Sequence, residues 1–128
     1  MERLTPHFAL AEFNSRDGAP FPADVERAIR DRLAPALQAI RDRLGEPLHI
    51  TSGYRSPAHN QEVGGSPRSF HLRGLAADLK AHRTSASEIH DTILALIAEG
   101  VIPDGGLGLY PSWVHYDLGP AGRRWSRR

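Results

Sequence analysis

The segment Ser69-Phe70-His71-Leu72-Arg73-Gly74-Leu75-Ala76-Ala77-Asp78 decides the fold of this chain. Its histidine and its aspartate stand seven residues apart, and Gly74 between them allows a sharp bend. The run from Leu75 to Leu79 is apolar except for Asp78, which predicts a short strand of mostly small residues. A buried carboxylate without a partner costs on the order of several kcal/mol, so Asp78 needs either a metal ion or donors such as an arginine and backbone amides.

A second segment, Trp113–Asp117, combines a histidine with an aspartate. Strand alternation places Trp113, His115 and Asp117 on one face. If His71 and Asp78 reach the same space, two imidazoles and one carboxylate meet there. Three such ligands with an open fourth position are typical of catalytic zinc, although the same set also suits ferrous iron. We expect surface or structural roles for the remaining histidines, which are His7, His49, His59, His82 and His90.

The surrounding pattern predicts helices and short strands in mixed order. Apolar residues at three- and four-residue spacing indicate a helix from Asp24 to Leu44, with a kink or a division into two helices near Leu33 because Pro35 lies inside it. A capping box at Ser85 begins a second helix. Residues 48–52 form a predicted strand, and residues 107–118 read as a β-hairpin. We therefore predict an α+β fold with a small, mostly antiparallel sheet flanked by helices.

Length and composition limit the possible classes. The 128 residues, 40% hydrophobic and 24% charged, fit a single globular domain spanning residues 1–128. The absence of cysteine excludes disulfide scaffolds, thiolate metal sites and cysteine nucleophiles, so a metal would be held by His, Asp or Glu. A net charge of +1 gives no general attraction to nucleic acid.

Membrane and export signals are also missing from the sequence. No apolar run approaches the roughly 20 residues of a membrane span, and the first residues lack a secretory signal, which leaves the localisation open. We expect a monomer. The short basic tail, Arg123, Arg124, Arg127 and Arg128 around Trp125, is expected to be a solvated end.

Three ordered blocks resemble the zinc D-Ala-D-Ala carboxypeptidases and related cell-wall endopeptidases, whose fold is shared with the hedgehog signalling domain. The family signature, Ser-x-His-x-x-Gly-x-Ala-x-Asp, is filled at every fixed position by Ser69, His71, Gly74, Ala76 and Asp78. The segment Ser52–Ser56, with Asn60, Gly64 and Gly65 after it, is similar to the family's substrate-binding segment. Trp113–Asp117 is similar to the strand that gives the last zinc ligand. The resemblance extends from Phe8 to Trp125.

The resemblance implies a hedgehog- and DD-peptidase-like fold and a zinc metallopeptidase. The enzyme would cleave D-amino-acid-containing amide bonds in peptidoglycan stem or crosslink peptides with a zinc-activated water, as a carboxypeptidase or an endopeptidase. By the same resemblance, His71, Asp78 and His115 would bind Zn²⁺. Arg55 would pair with a substrate carboxylate or with the oxyanion, and Ser69 and Trp113 would contact the substrate.

One part of the family pattern is absent. Many members carry an acid three residues before the last zinc-binding histidine, or a second histidine two residues before it, as the general base. Ser112 and Trp113 occupy these positions, so Asp117 is left either as the base or as a support that orients His115, and Glu62, on a helical turn beside the same loops, is a second candidate for the base. The alternative is a non-catalytic, zinc-stabilised binding module of the same fold. If all these residues were structural, no metal would bind.

Overall fold

A five-stranded sheet forms the centre of the structure, a computed structural model that describes residues 2–127. In chain order the strands are β1 Arg3–Thr5, β2 Phe8–Ala9, β3 Leu48–Ser52, β4 Ala76–Ala81, β5 Gly106–Leu109, β6 Val114–Asp117 and β7 Arg123–Ser126. β1 and β2 form a separate small hairpin, and the central sheet has the order β3-β4-β6-β5-β7. All pairs in it are antiparallel except β5 with β7.

The helices are α1 Ala23–Ala28, α2 Ala34–Leu44, α3 Pro57–Glu62 and α4 Ala86–Ala98, with 3-10 turns at Leu10–Phe13 and Phe70–Arg73. α2 and α4 pack against each other, and α4 also lies on β4, β5 and β6. The predicted α+β class, with a mostly antiparallel sheet flanked by helices, is confirmed. The predicted hairpin is present as the pairing of β5 with β6. Within residues 2–127, no helix combines the length and the apolarity that a bilayer crossing needs.

The long first helical pattern is interrupted where Pro35 predicts it. A wide π-helical turn, Ile29–Leu33, joins α1 to α2, and the Ala34 amide donates to the carbonyl of Ile29, five residues earlier. Pro35 has no amide hydrogen, and its ring would collide with the carbonyl four residues before it in a regular helix. The wider turn accommodates the proline without dividing the pattern into separated helices.

The core lies between the helices and one face of the sheet. Its largest fully buried side chains include Leu33, Leu37 and Ile40 from the first helical region, Ile89, Ile93 and Leu96 from α4, and Leu79, Leu107 and Tyr116 from the strands. Because side chains alternate along a strand, Asp78 on β4 and both His115 and Asp117 on β6 lie on the opposite face. The sheet therefore presents its polar residues away from the helices.

The expectation of a solvated basic tail is wrong for residues 123–126. These residues form β7, which pairs in parallel with β5 and places Trp125 opposite Gly108. The physical reason is that β5 offers a free edge and glycines at positions 106 and 108, where bulky neighbours can approach. Arg127 is exposed beyond the strand, and Arg128, also part of that expectation, lies outside the described residues.

Candidate metal centre

Three side chains from distant parts of the chain converge on the polar face of the sheet. The register of β4 and β6 places Asp78 directly opposite His115, and the 3-10 turn at Phe70–Arg73 brings His71 beside them. Asp78 Oδ1 lies 3.4 Å from His71 Nε2 and 3.0 Å from His115 Nδ1. One ligand atom from each residue lies within 4.8 Å of the other two. Within residues 2–127, this is the group of histidine and acidic side chains that could hold a metal ion.

His71 is held in the tautomer that a metal ligand requires. Its Nδ1 lies 2.7 Å from the backbone carbonyl of Gly53, which can only accept a hydrogen bond, so Nδ1 carries the proton. The lone pair of Nε2 therefore faces Asp78. The turn that carries the ring begins at Ser69, whose Oγ accepts from the His71 amide at 3.2 Å. It ends at Gly74 with φ 70°, a left-handed conformation that favours glycine.

His115 lies between two carboxylates. Its Nδ1 faces Asp78, while its Nε2 lies 2.8 Å from Asp117 Oδ2. Both ring nitrogens thus face acceptors, and Nε2 can keep a proton bonded to Asp117 while Nδ1 binds a metal, as in the carboxylate–histidine pairs of metal sites. Burial lowers the pKa of His115, but hydrogen bonds to Asp117 and Asp78 outweigh it and raise that pKa. The surroundings of this ring therefore favour a positive charge, whether a proton or a metal ion.

Asp117 is almost completely buried and fully engaged. Its Oδ1 accepts from the backbone amides of Gly106, at 3.0 Å, and Gly119, at 2.9 Å, and from the guanidinium of Arg123. Burial raises the pKa of Asp117, but the bond from His115 and the backbone donors outweigh this and lower it to about 2. Asp117 is therefore ionised, and both of its oxygens have partners.

The Asp78 carboxylate is also bound by an arginine. Arg55 Nη2 lies 3.5 Å from Asp78 Oδ2, and the same guanidinium donates to Ser52 Oγ at 3.2 Å and to Asn60 Oδ1 at 3.3 Å. Burial raises the pKa of Asp78, but the hydrogen bonds and charges of the two histidines outweigh it and lower the pKa. The sequence left two kinds of partner open for Asp78, a metal ion or a donor such as an arginine. Arg55 faces Oδ2, and a metal could bind at Oδ1 between the two histidines.

A cavity of about 370 Å³ opens above the three residues. Its walls include the predicted Arg55, Ser69 and Trp113, together with Asp117. The other lining residues are Ser66, Arg68, Phe70, Tyr110, Arg123 and Trp125. Among the described residues, the carboxylates that line the cavity are therefore Asp78 and Asp117. Glu62, an alternative acid near the same loops, is exposed on α3 and does not line the cavity.

One wall of the cavity was not predicted from the sequence. Tyr110 stacks on Trp113, with ring centroids 4.5 Å apart and planes 6° from parallel, and the indole Nε1 of Trp125 donates to Tyr110 Oη at 3.0 Å. Trp125 comes from the tail that was expected to be solvated. The glycines at positions 106 and 108, which leave room beside β5, were the available signal for a further strand.

Two comparisons with known proteins agree with this geometry. A family model described as Peptidase M15 matches residues 6–117. Over 80 residues the chain is 36% identical to the zinc D-Ala-D-Ala carboxypeptidase of Streptomyces albus G. That match covers 59% of this chain and 31% of the relative, so the chain spans only about a third of the length of this curated relative.

Proposed function

The chain belongs to the M15 peptidase family, and from this premise we propose that it is a zinc peptidase acting on the stem or crosslink peptides of bacterial cell-wall peptidoglycan. The observation that carries the proposal is the convergence of His71, Asp78 and His115 at the cavity. The relative's name, which includes zinc and a D-Ala-D-Ala substrate, supports the choice of metal and of D-amino-acid-containing peptides. Either a carboxypeptidase or an endopeptidase fits this proposal.

The donor set fits zinc. His71 Nε2, the Asp78 carboxylate and His115 Nδ1 would hold the ion, since zinc accepts nitrogen and oxygen ligands and catalytic zinc sites use three protein ligands. When bound, zinc would supply Lewis acidity that polarises an amide carbonyl and acidifies a water molecule. The ionised state of Asp78 and the proton on His71 Nδ1 leave these ligand atoms ready to bind without further proton loss.

We assign Arg55 the role of anion binding. Its guanidinium is mostly buried, with 17% of the side chain exposed, and is fixed by Ser52, Asn60 and Asp78. A planar fork of donors held in one orientation suits a substrate carboxylate or the negative charge that develops on an attacked carbonyl. Ser69 and Trp113, which line the same cavity, would also contact the substrate.

Asp117 is proposed to orient His115 rather than to act as the general base. Its Oδ2 accepts the His115 Nε2 proton, and its Oδ1 is occupied by two backbone amides and Arg123. A carboxylate with a pKa of about 2 and no free oxygen is a poor proton acceptor at neutral pH. Its contribution to catalysis would be the fixed direction of the His115 ring.

The engagement of the Asp117 carboxylate also favours a second candidate function. Because both carboxylates that line the cavity within residues 2–127 are engaged, no free acid is placed there to serve as a base. A zinc-stabilised module that binds peptidoglycan peptides without cleaving them has no need of one. Both candidates predict bound zinc, so cleavage is the property that separates them.

The test is digestion of purified peptidoglycan by zinc-loaded protein, with fragments identified by mass spectrometry. We expect new fragments with the wild type and none with His71→Ala, while His82→Ala, an exposed histidine outside the site, serves as the matched control and cleaves normally. A synthetic stem peptide and its all-L twin test the requirement for D-residues. Zinc bound without any cleavage would support the binding module, and the absence of both would overturn both functions.

Residues 1–128 are proposed to act as a single domain and as a monomer. Helices α1, α2 and α4 share one apolar core with the sheet, which supports the single domain. Size-exclusion chromatography with light scattering tests the oligomeric state, and a mass of twice the monomer would contradict it.

A further inference from the structure

The His115 ring has an aromatic neighbour that neither the motif nor the metal geometry accounts for. Trp125, on β7, lies with its ring centroid 5.2 Å from that of His115 and with its plane inclined by 44°. His71 lies at the same centroid distance of 5.2 Å from His115. The His115 ring therefore lies close both to the second imidazole of the site and to the indole of a strand near the carboxyl end of the described chain.

The position of the indole is itself fixed. The parallel register of β5 and β7 places Trp125 opposite Gly108, where an added Cβ atom would overlap the indole ring. Its Nε1 donates to Tyr110 Oη at 3.0 Å, and Tyr110 is stacked on Trp113. Trp125 is half-buried. Its ring lies against Gly108, its Nε1 bonds to Tyr110, and its backbone belongs to the strand that pairs with β5.

The hydrogen bonds of His115 leave one kind of motion unrestrained. Its two nitrogens face Asp78 and Asp117, and both interactions act close to the plane of the imidazole. Such bonds resist rotation within the plane but restrain tilting out of it only weakly. Packing against the side of the ring is what limits that tilt, and Trp125 provides it.

We propose that Trp125 is a positioning residue of the metal centre, which holds the His115 ring at the angle where Nδ1 faces His71 and Asp78. The proposal rests on the proposed function only in taking the bound ion to be zinc. It makes β7 part of the site. Gly108 has a role as well, because its missing side chain provides the space that the indole occupies.

The first experiment measures zinc affinity by competition with a chromophoric chelator and records the visible spectrum of the Co²⁺ form. We expect Trp125→Ala to weaken zinc binding by about tenfold to a hundredfold, as for other groups that support a ligand, and to change the cobalt spectrum. Trp125→Phe keeps an aromatic face and should restore both to near wild type. Arg124→Ala is the matched control, since Arg124 anchors the same strand through Asp104 and the Gly105 carbonyl. It should leave zinc affinity within about twofold of wild type, well below the effect expected of a supporting group.

A second variant displaces the indole without removing it. Gly108→Ala places a methyl group where the ring lies, so it should weaken zinc binding in the same direction as Trp125→Ala. The double variant should be no weaker than Trp125→Ala alone, because coupled residues are not additive. Gly108→Ala also carries the test if Trp125→Ala does not fold, as judged by circular dichroism.

The proposal has a readout that needs no metal. In metal-free wild type and in Trp125→Phe, the Nε2 proton of His115 should give a slowly exchanging NMR signal, because its bond to Asp117 is fixed. Trp125→Ala should lose that signal through exchange with water. If the wild type bound no zinc, the proposed function would fail while this signal still decided the role of Trp125. Wild-type affinity and an intact signal in Trp125→Ala, or equal losses in Arg124→Ala, would overturn the proposal.

Discussion

Asp78 has two kinds of partner at once, and this explains its placement on a central strand. Its Oδ1 faces both imidazoles, while its Oδ2 faces Arg55 at 3.5 Å. The two imidazoles lower the pKa of the carboxylate and Arg55 adds a positive charge beside its other oxygen, so the aspartate can remain ionised on the buried strand even before a cation arrives. A carboxylate prepared in this way can bind a metal without first losing a proton.

Asp117 gives a prediction about stability that does not depend on the metal. In Asp117→Asn the side-chain carbonyl could still accept from Gly106, Gly119 and Arg123, but the uncharged amide would place its nitrogen against His115 Nε2, which now faces a carboxylate oxygen. We expect the metal-free protein to lose about 3 kcal/mol of unfolding free energy, because a buried charge is lost and its donors keep only a neutral acceptor. Urea denaturation monitored by circular dichroism measures this loss.

Asp104→Asn is the matched control for that substitution. Asp104 pairs with Arg124 at 2.8 Å where both side chains are about one-third exposed, so its loss should cost clearly less stability than the loss of the buried Asp117 charge. Equal losses in the two variants would contradict the structural role assigned to Asp117.

Asp17 predicts a pH dependence in the loop before α1. Its carboxylate accepts from Ser56 Oγ at 2.6 Å, Ser15 Oγ at 2.7 Å and the Ala19 amide at 3.1 Å, which together lower its pKa to about 2. Since the folded pKa lies below the ordinary 3.8, the stabilisation is present above about pH 4 and disappears as the pH falls toward 2.

The check is the melting temperature of metal-free wild type and Asp17→Asn as a function of pH. The variant should melt lower at pH 6, and the difference should shrink steadily toward pH 2. A difference that stayed constant over this range would show that the carboxylate charge is not what stabilises the loop.

At the scale of elements, periodicity and alternation predicted the long helices and the strands of the hairpin, but they missed β7. The helical spacing from Asp24 to Leu44 and the capping box at Ser85 each mark a whole element, because many residues repeat one signal. β7 has four residues, and its pairing depends on the edge of β5, a property of another segment. The same limit explains why Trp125 was not predicted beside His115, whereas the alternation in Trp113–Asp117 placed His115 and Asp117 together.

The capping box of α4 predicts a measurable contribution to stability. Ser85 Oγ accepts from the Glu88 amide at 3.1 Å, and Glu88 Oε1 accepts from the Ser85 amide at 3.1 Å. Ser85→Ala removes one of these bonds and should lower the unfolding free energy by about 1 kcal/mol, or the melting temperature by a few degrees. Thermal unfolding followed by circular dichroism checks this.

Ser87→Ala separates the cap from a general effect of losing a serine. Ser87 is exposed inside the same helix, where alanine is the better helix former, so this variant should be neutral or slightly stabilising. If both substitutions lowered the melting temperature equally, the hydrogen bonds at Ser85 would not be the cause.

At the scale of the whole molecule, the proposed metal centre joins segments that are far apart in the chain. His71 comes from a 3-10 turn, Asp78 from β4 and His115 from β6, and the ring of His71 is bonded to Gly53 beyond β3. The resemblance of three local motifs to the family's blocks could predict which residues meet. It could not predict the support from Gly53, Asn60 or Trp125, whose contacts exist only after the sheet has assembled.

Because the centre forms only in the folded chain, zinc should stabilise the whole molecule. An ion that binds the native state alone adds RT ln(1 + [Zn²⁺]/Kd), which is about 2.7 kcal/mol when free zinc is a hundred times Kd. We expect zinc to raise the melting temperature of the metal-free protein and a chelator to reverse the change. His71→Ala should abolish the zinc-dependent shift, while His82→Ala, with the same loss of one imidazole, should retain it. A shift of equal size in His71→Ala would place the ion elsewhere, since the buried His71 Nε2 beside Asp78 is then unnecessary for binding.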